Sequence, residues 1–170
     1  MSGMRFAYAD PPYLGCGEKL YGFPEWDTPE RHQRLIEFLQ DTYPDGWAMS
    51  LHTPSIRQIA PMLPADIRWA AWVKPFAVFR PGVNPAYAWE PVVWRGGRTK
   101  RSRKEPTVRD WHSEVIAMKR GVPGAKPPGF ALWIVELLGA NVKSGDTITD
   151  LFHGSGAMLG VWRAGEVPNA

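Results

Sequence analysis

A single cysteine, Cys16, is the only thiol in this chain. One thiol excludes an internal disulfide and a Cys-x-x-Cys metal cluster, and it fits a reducing compartment, so a cytoplasmic protein is expected. The four histidines, His32, His52, His112 and His153, are scattered without metal-ligand spacing, and no metal is expected. No stretch reaches the roughly 20 apolar residues that a membrane span requires. Nor does a basic start followed by an apolar run mark a leader segment. Internal repeats and low-complexity tracts are also missing. What is present suffices for one sizeable core, because 44% of the 170 residues are hydrophobic and 9 are tryptophan. A single domain over residues 1–170 is the expectation.

Acid is missing from one decisive place. Residues 95–104, RGGRTKRSRK, carry Arg95, Arg98, Lys100, Arg101, Arg103 and Lys104 without an Asp or Glu. The whole chain is only +3, so the remainder is net negative and the basicity belongs to this segment. Six like charges repel one another and favour an extended loop. That loop reads either as a solvated hairpin tip or as a contact for a polyanion such as DNA.

Short apolar runs alternate with helical patterns, which argues for an α/β domain with a mostly parallel sheet flanked by helices. Residues 4–9, 47–51, 67–73 and 146–152 read as strands. Thr28 and Pro29 give a cap and first-turn signal for a helix that stops before Pro44, and Thr53 with Pro54 repeats the signal for a shorter one. Pro128 to Leu138 is a helix ended by Gly139, and a last helix begins near Ser155. Between about 75 and 112 prolines interrupt everything except AYAWEPVVWR. That stretch reads as an edge strand within a basic insertion.

Two segments carry chemistry. Asp10, Pro11, Pro12 and Tyr13 follow the first strand directly. An ionised Asp only accepts hydrogen bonds, and prolines present stiffened carbonyls without a competing N–H. The cluster suits an exocyclic amino group that donates two hydrogens, with Tyr13 as a flat ring for a planar heterocycle. A rigid strand-ending turn would use the same residues. In DLFHGSG, Gly154 and Gly156 let the backbone approach a ligand and the helix after Ser155 points free N–H groups at it. Asp150 could take a hydrogen bond from an ammonium group, with Phe152 packed beside it. An ordinary strand-to-helix turn is the plainer reading of that loop alone.

DPPY resembles the catalytic motif of amino-group DNA methyltransferases, those acting on adenine N6 or cytosine N4, and DLFHGSG resembles their S-adenosylmethionine loop. GAKPPGFALWIVELL is similar to the helix-opening segment placed before that loop, with Lys126 and Pro127 as its Lys-Pro pair. Catalytic motif first and cofactor loop last is the order of the permuted β-type arrangement, shared by small phage-type members. The resemblance spans residues 4–164. It implies a Rossmann-like methyltransferase core, truncated after the helix that follows the cofactor loop, with S-adenosylmethionine as cofactor and DNA as substrate. Asp10, Pro11, Pro12 and Tyr13 would then be catalytic, and Lys126, Asp150, Phe152, Gly154, Ser155 and Gly156 would bind the cofactor. Because the chain ends soon after the loop, where family members continue, the expectation is a donor pocket that is incomplete, weakly binding, or finished by a second copy or another partner. An Asp at the head of DPPY leans towards adenine N6, the base being flipped out of the duplex. Cytosine N4, an RNA base, a protein glutamine, or an inactive DNA-binding protein on the same fold stay open as alternatives.

Overall fold

The computed structural model describes residues 3–76, 81–99, 103, 107–116 and 125–164. Six strands form one sheet: β1 (Arg5–Ala9), β2 (Gly46–Ser50), β3 (Arg68–Val73), β4 (Trp89–Gly96), β5 (Trp111–Ser113) and β6 (Thr147–Asp150). Their spatial order is β5-β3-β4-β2-β1-β6. β1 pairs in parallel with β2 and β6, and β3 with β5, while β4 runs antiparallel to both β2 and β3. The carboxyl ends of five strands and the amino end of β4 therefore share one rim. The helices are α1 (Gly17–Tyr21), α2 (Pro29–Thr42), α3 (Ile56–Ile59), α4 (Pro128–Leu138) and α5 (Ala157–Ala164).

Alternation along each strand sends side chains to opposite faces. Phe6, Tyr8, Ala48, Trp72, Val92, Trp94 and Ile148 pack with α4 and α5 on one face. Ala7, Ala9, Trp47, Met49 and Val93 pack with α2 and α3 on the other. The helix signals act as expected at most ends. Pro29 opens α2, and Leu35, Ile36 and Leu39 are its buried stripe. Thr28 sits at the cap position, yet its hydroxyl donates to the Glu25 carbonyl at 2.9 Å instead of capping the helix. Gly139 ends α4 in the left-handed region, at φ 64°, where its N–H reaches back to the Glu136 carbonyl.

AYAWEPVVWR departs from its expected place. Its core, β4, is an interior strand between β3 and β2 and not an edge. Pro91 is tolerated because it pairs across from Leu51, one residue beyond the end of β2. Its carbonyl accepts from the Leu51 N–H at 2.9 Å, so the ladder bond it cannot donate falls where the neighbouring strand is ending. The edge position belongs to β5, too short to carry a period-2 signal. β4 ends in Gly96 at φ 70°, and a β-carbon there would lie 2.6 Å from the Asp45 carbonyl oxygen.

Phe130 is the centre of the α4 face: its ring is fully buried and meets the rings of Tyr8, Trp72 and Trp133. Phe130→Ala is expected to lower unfolding stability by about 3–5 kcal/mol, read from the urea midpoint, because three aromatic neighbours cannot collapse into the space.

Candidate active site

Tyr8 lies opposite Asp150 in the β1–β6 pairing. The chain thus leaves two adjacent parallel strands at the same rim, where ligands of open α/β sheets gather. The acid-proline corner and the glycine loop meet there around a cavity of about 250 Å³, with Asp10, Pro12, Lys126, Asp150, Phe152 and Gly154 in its wall. Tyr21 and Phe23 line the same cavity. They come from α1 and the turn after it, a segment too short to show a helical period. Asp27 holds α1 in place by accepting from the N–H groups of Gly17 and Glu18 at 2.7 and 3.0 Å.

Asp10 belongs to a charge cluster. The Lys126 ammonium lies 3.1 and 3.0 Å from its two oxygens, 3.3 Å from Glu90 Oε2, and donates to the Tyr13 hydroxyl at 3.0 Å. Tyr13 Oη donates to Glu90 at 2.7 Å, with Asp10 Oδ1 at 3.3 Å, and Lys74 closes the other side of Glu90 at 2.9 Å. Lys126 and Glu90 are nearly enclosed, with 9% and 12% of their side chains accessible. His52 stacks on the Tyr13 ring with centroids 5.0 Å apart. Glu90, Lys74 and His52 had no signal in the sequence. They reach the site through the register of β3, β4 and β2, which no local spacing encodes.

Enclosure and charge oppose each other here. Burial would raise the Glu90 carboxyl, but the ammonium groups of Lys126 and Lys74, with hydrogen bonds from Lys74 and Tyr13, hold it down at about 2. Burial would lower Lys126, and the carboxylates of Asp10 and Glu90 raise it above the ordinary lysine range. Asp10 ends above its usual value: burial and the Glu90 charge push it up against the pull of Lys126 and the hydrogen bond from Tyr13. Burial and the two carboxylates raise the Tyr13 phenol, which keeps its proton and stays a donor. The Glu90 contribution to folding is complete above its unfolded value of 4.5 and is lost as pH falls towards 2. Urea unfolding followed from pH 7 down to pH 2 should show this loss, of roughly 2–3 kcal/mol, in the wild type and not in Glu90→Gln.

Gly154 and Gly156 take φ of 40° and 75° in the cofactor-type loop. The Ser155 hydroxyl donates to the Lys126 carbonyl at 3.3 Å, tying the loop to the segment that opens α4. Phe152 packs edge-on against Trp26 at 5.2 Å. Asp150 Oδ1 accepts from the Phe152 N–H at 3.2 Å, and its other oxygen has no hydrogen bond among the described residues. Burial, with a smaller push from Asp10, raises the Asp150 carboxyl to about 6.

The chain shares its fold with solved methyltransferases. The M1.HpyAVI–SAM complex superposes over 97% of this chain and 80% of that one, with a TM-score of 0.59 at 17% identity. TTHA0409 from Thermus thermophilus, a DNA modification methylase by its name and solved with S-adenosyl-L-methionine, matches over 93% of this chain and 76% of its own, with a TM-score of 0.54 at 17% identity. No protein-family model matches the chain, and no curated protein matches it. The fold class is thereby Rossmann-like α/β, as expected.

Two residues of the basic run have acidic partners. β4 runs antiparallel, so Arg95 and Arg98 lie at the opposite rim from Asp10, and both are committed to acids. Arg95 Nε donates to the two Asp66 oxygens at 2.8 and 2.9 Å. Arg98 donates to Asp146 at 2.6 Å and to the Gly139 carbonyl at 3.1 Å. At the sheet base both are paired with acids. Arg103 is exposed, and Lys100, Arg101 and Lys104 lie outside the described residues. Trp94 is a core residue with Arg68 over its ring at 4.5 Å. Trp111 is exposed at the β5 edge. Among the described residues no His, Cys, Asp and Glu group could hold a metal, and no helix is long and apolar enough to cross a membrane.

Proposed function

We propose that this chain is a DNA methyltransferase that uses S-adenosylmethionine and modifies the exocyclic N6 amino group of adenine. The observation that carries the reading is the meeting of Asp10 and Asp150 in the wall of one cavity, one from the acid-proline corner and one from the glycine loop. The solved methyltransferases of the same fold, two of them with S-adenosylmethionine bound, support it.

The residues fit that cofactor. It is a flat base joined to a cationic amino acid, and the cavity offers a buried carboxylate at Asp150, the Phe152 ring, and Gly154, whose backbone carries no β-carbon. Its volume of about 250 Å³ sits near the lower edge of ligand pockets. When bound, S-adenosylmethionine supplies a methyl group activated on a sulfonium sulfur.

The chain's own residues prepare the acceptor. The adenine amine is a poor nucleophile because its lone pair is delocalised into the ring. Asp10 Oδ and the Pro11 carbonyl, which takes no hydrogen bond among the described residues, are acceptors for its two hydrogens. Holding both draws the nitrogen towards a tetrahedral shape and localises the lone pair. Asp10 is then placed to take the proton that the nitrogen sheds, and its raised pKa makes it a better base than a free carboxylate. The Tyr13 ring, backed by His52 and fixed through its hydroxyl, gives the flipped base a surface to stack on.

Incubation of the protein with labelled S-adenosylmethionine and unmethylated duplex DNA should yield N6-methyladenine on digestion. Label in cytosine alone would reassign the target. Cofactor binding by calorimetry without label in any base of DNA would point to an inactive binding protein.

A further inference from the structure

We propose that Glu90 is a positioning residue of the transfer site: by holding the Tyr13 hydroxyl and the Lys126 ammonium from the strand beside Asp10, it keeps the Asp10 carboxylate available to the substrate amine. The inference rests on the methyltransferase reading above.

Hydrogen-bond capacity makes the case. A lysine ammonium has three donors, and those of Lys126 have three partners: Asp10, Glu90 and the Tyr13 hydroxyl. A phenol has one proton, and Tyr13 gives its shorter contact, 2.7 Å, to Glu90, while Asp10 stands at 3.3 Å. Glu90 therefore takes the Tyr13 proton and shares the Lys126 ammonium, which also lies within 3.1 Å of both Asp10 oxygens. Lys74 neutralises the far oxygen of Glu90 at 2.9 Å, so the glutamate can stay ionised while nearly enclosed. Without the Glu90 charge, the Tyr13 proton and the Lys126 ammonium would both turn to Asp10. An ionised carboxylate has about four lone-pair sites, and those that the Lys126 contact leaves open to the amine would then be filled, while the stacking ring would lose the bond that sets its plane.

Glu90 is not in the wall of the cavity, so its removal should leave cofactor binding alone. It does face Asp10 electrostatically. The charged and titratable groups around the pair are Lys126, Tyr13, Tyr8, Tyr21 and Asp150 near Asp10, and Lys74, Lys126, Tyr13, Tyr8 and His52 near Glu90. Removing a negative neighbour favours the ionised form of Asp10, so the acid limb of the pH–rate profile should move to lower pH.

The test compares wild type, Glu90→Gln and Glu90→Asp. In Glu90→Gln, kcat should fall about 10- to 100-fold, the calorimetric Kd for S-adenosylmethionine should stay unchanged, and the acid limb should move to lower pH. Glu90→Asp keeps the charge but is one methylene short, so kcat should fall with the acid limb in place. A Glu90→Gln protein of wild-type kcat, or one whose loss merely follows its folded fraction with the acid limb unmoved, would overturn the inference. A second readout does not need turnover. Carbon-13 NMR titration of the side-chain carboxyls, with Asp10 assigned by its disappearance in Asp10→Asn, should show its midpoint lower in Glu90→Gln. An unmoved midpoint overturns the role of Glu90 whether or not the protein methylates DNA. A wild type that transfers no methyl, yet whose Asp10 midpoint moves in the variant, would sink the methyltransferase reading alone.

Discussion

Asp10→Ala is expected to reduce methyl transfer at least about 10³-fold, far more than it changes S-adenosylmethionine affinity. The size follows from two losses at one atom group, an acceptor oriented at the reacting nitrogen and the base that takes its proton, each worth orders of magnitude in comparable sites. The lost carboxylate also leaves Lys126 with Glu90 as its sole anionic partner among the described residues, which costs stability. The assay should therefore be run on protein shown by circular dichroism to be folded, with single-turnover rates and calorimetric Kd measured on the same preparation. Asp10→Asn offers a finer cut. Its amide keeps one acceptor oxygen but turns two donors towards the Lys126 ammonium, so it should retain more of the fold than alanine and little of the rate. Methyl transfer near the wild-type rate in either variant would remove Asp10 from the chemistry.

The second large effect concerns Asp150 and has opposite signs for binding and for stability. Its carboxyl titrates at about 6 in the folded protein, against an ordinary value of 3.8, chiefly because it is buried. An ammonium group needs the ionised form, so affinity for S-adenosylmethionine should be steady above pH 6 and fall about tenfold per pH unit below it. Asp150→Asn should weaken binding roughly 10- to 100-fold at pH 8, the worth of one charge-assisted hydrogen bond, and abolish the pH dependence. Stability runs the other way. A raised folded pKa means that ionised Asp150 costs the native state free energy above pH 6, a cost that disappears as pH falls towards 3.8. Asp150→Asn should therefore be more stable than wild type at pH 8, by roughly 1–2 kcal/mol after allowance for water at the cavity mouth. Urea unfolding at pH 8 and pH 4.5 checks the sign: the advantage should shrink at the lower pH. Binding that ignores pH between 5 and 8 would show that Asp150 does not meet the ammonium.

What could be read in advance followed the range of the interactions. Pro29, Pro128 and Gly139 act on their own turns, so α2 and α4 were legible to within a residue at most ends. The short continuous apolar runs of β1 and β2, buried on both faces, needed only local pattern. The acid-proline corner and the glycine loop were each legible as chemistry, and the β1–β6 pairing explains why they meet. Pro91 misled because its tolerance depends on where the neighbouring strand ends, 40 residues earlier in the chain. Composition alone does not reveal that Asp66 and Asp146 stand opposite Arg95 and Arg98. Glu90 was invisible because a lone glutamate before a proline has no signature until register sets it beside Lys126.

The reversed strand β4 has a practical consequence for anyone altering this protein. It begins with a residue at the chemistry and ends in ion pairs and tight glycines at the other side, so one short segment serves turnover at its start and durability at its finish. At about 3.4 Å per residue, Glu90 and Arg95 lie roughly 17 Å apart along it. Heat tolerance could therefore be engineered around Asp66, Arg95 and Asp146 without disturbing the Glu90 end of the strand.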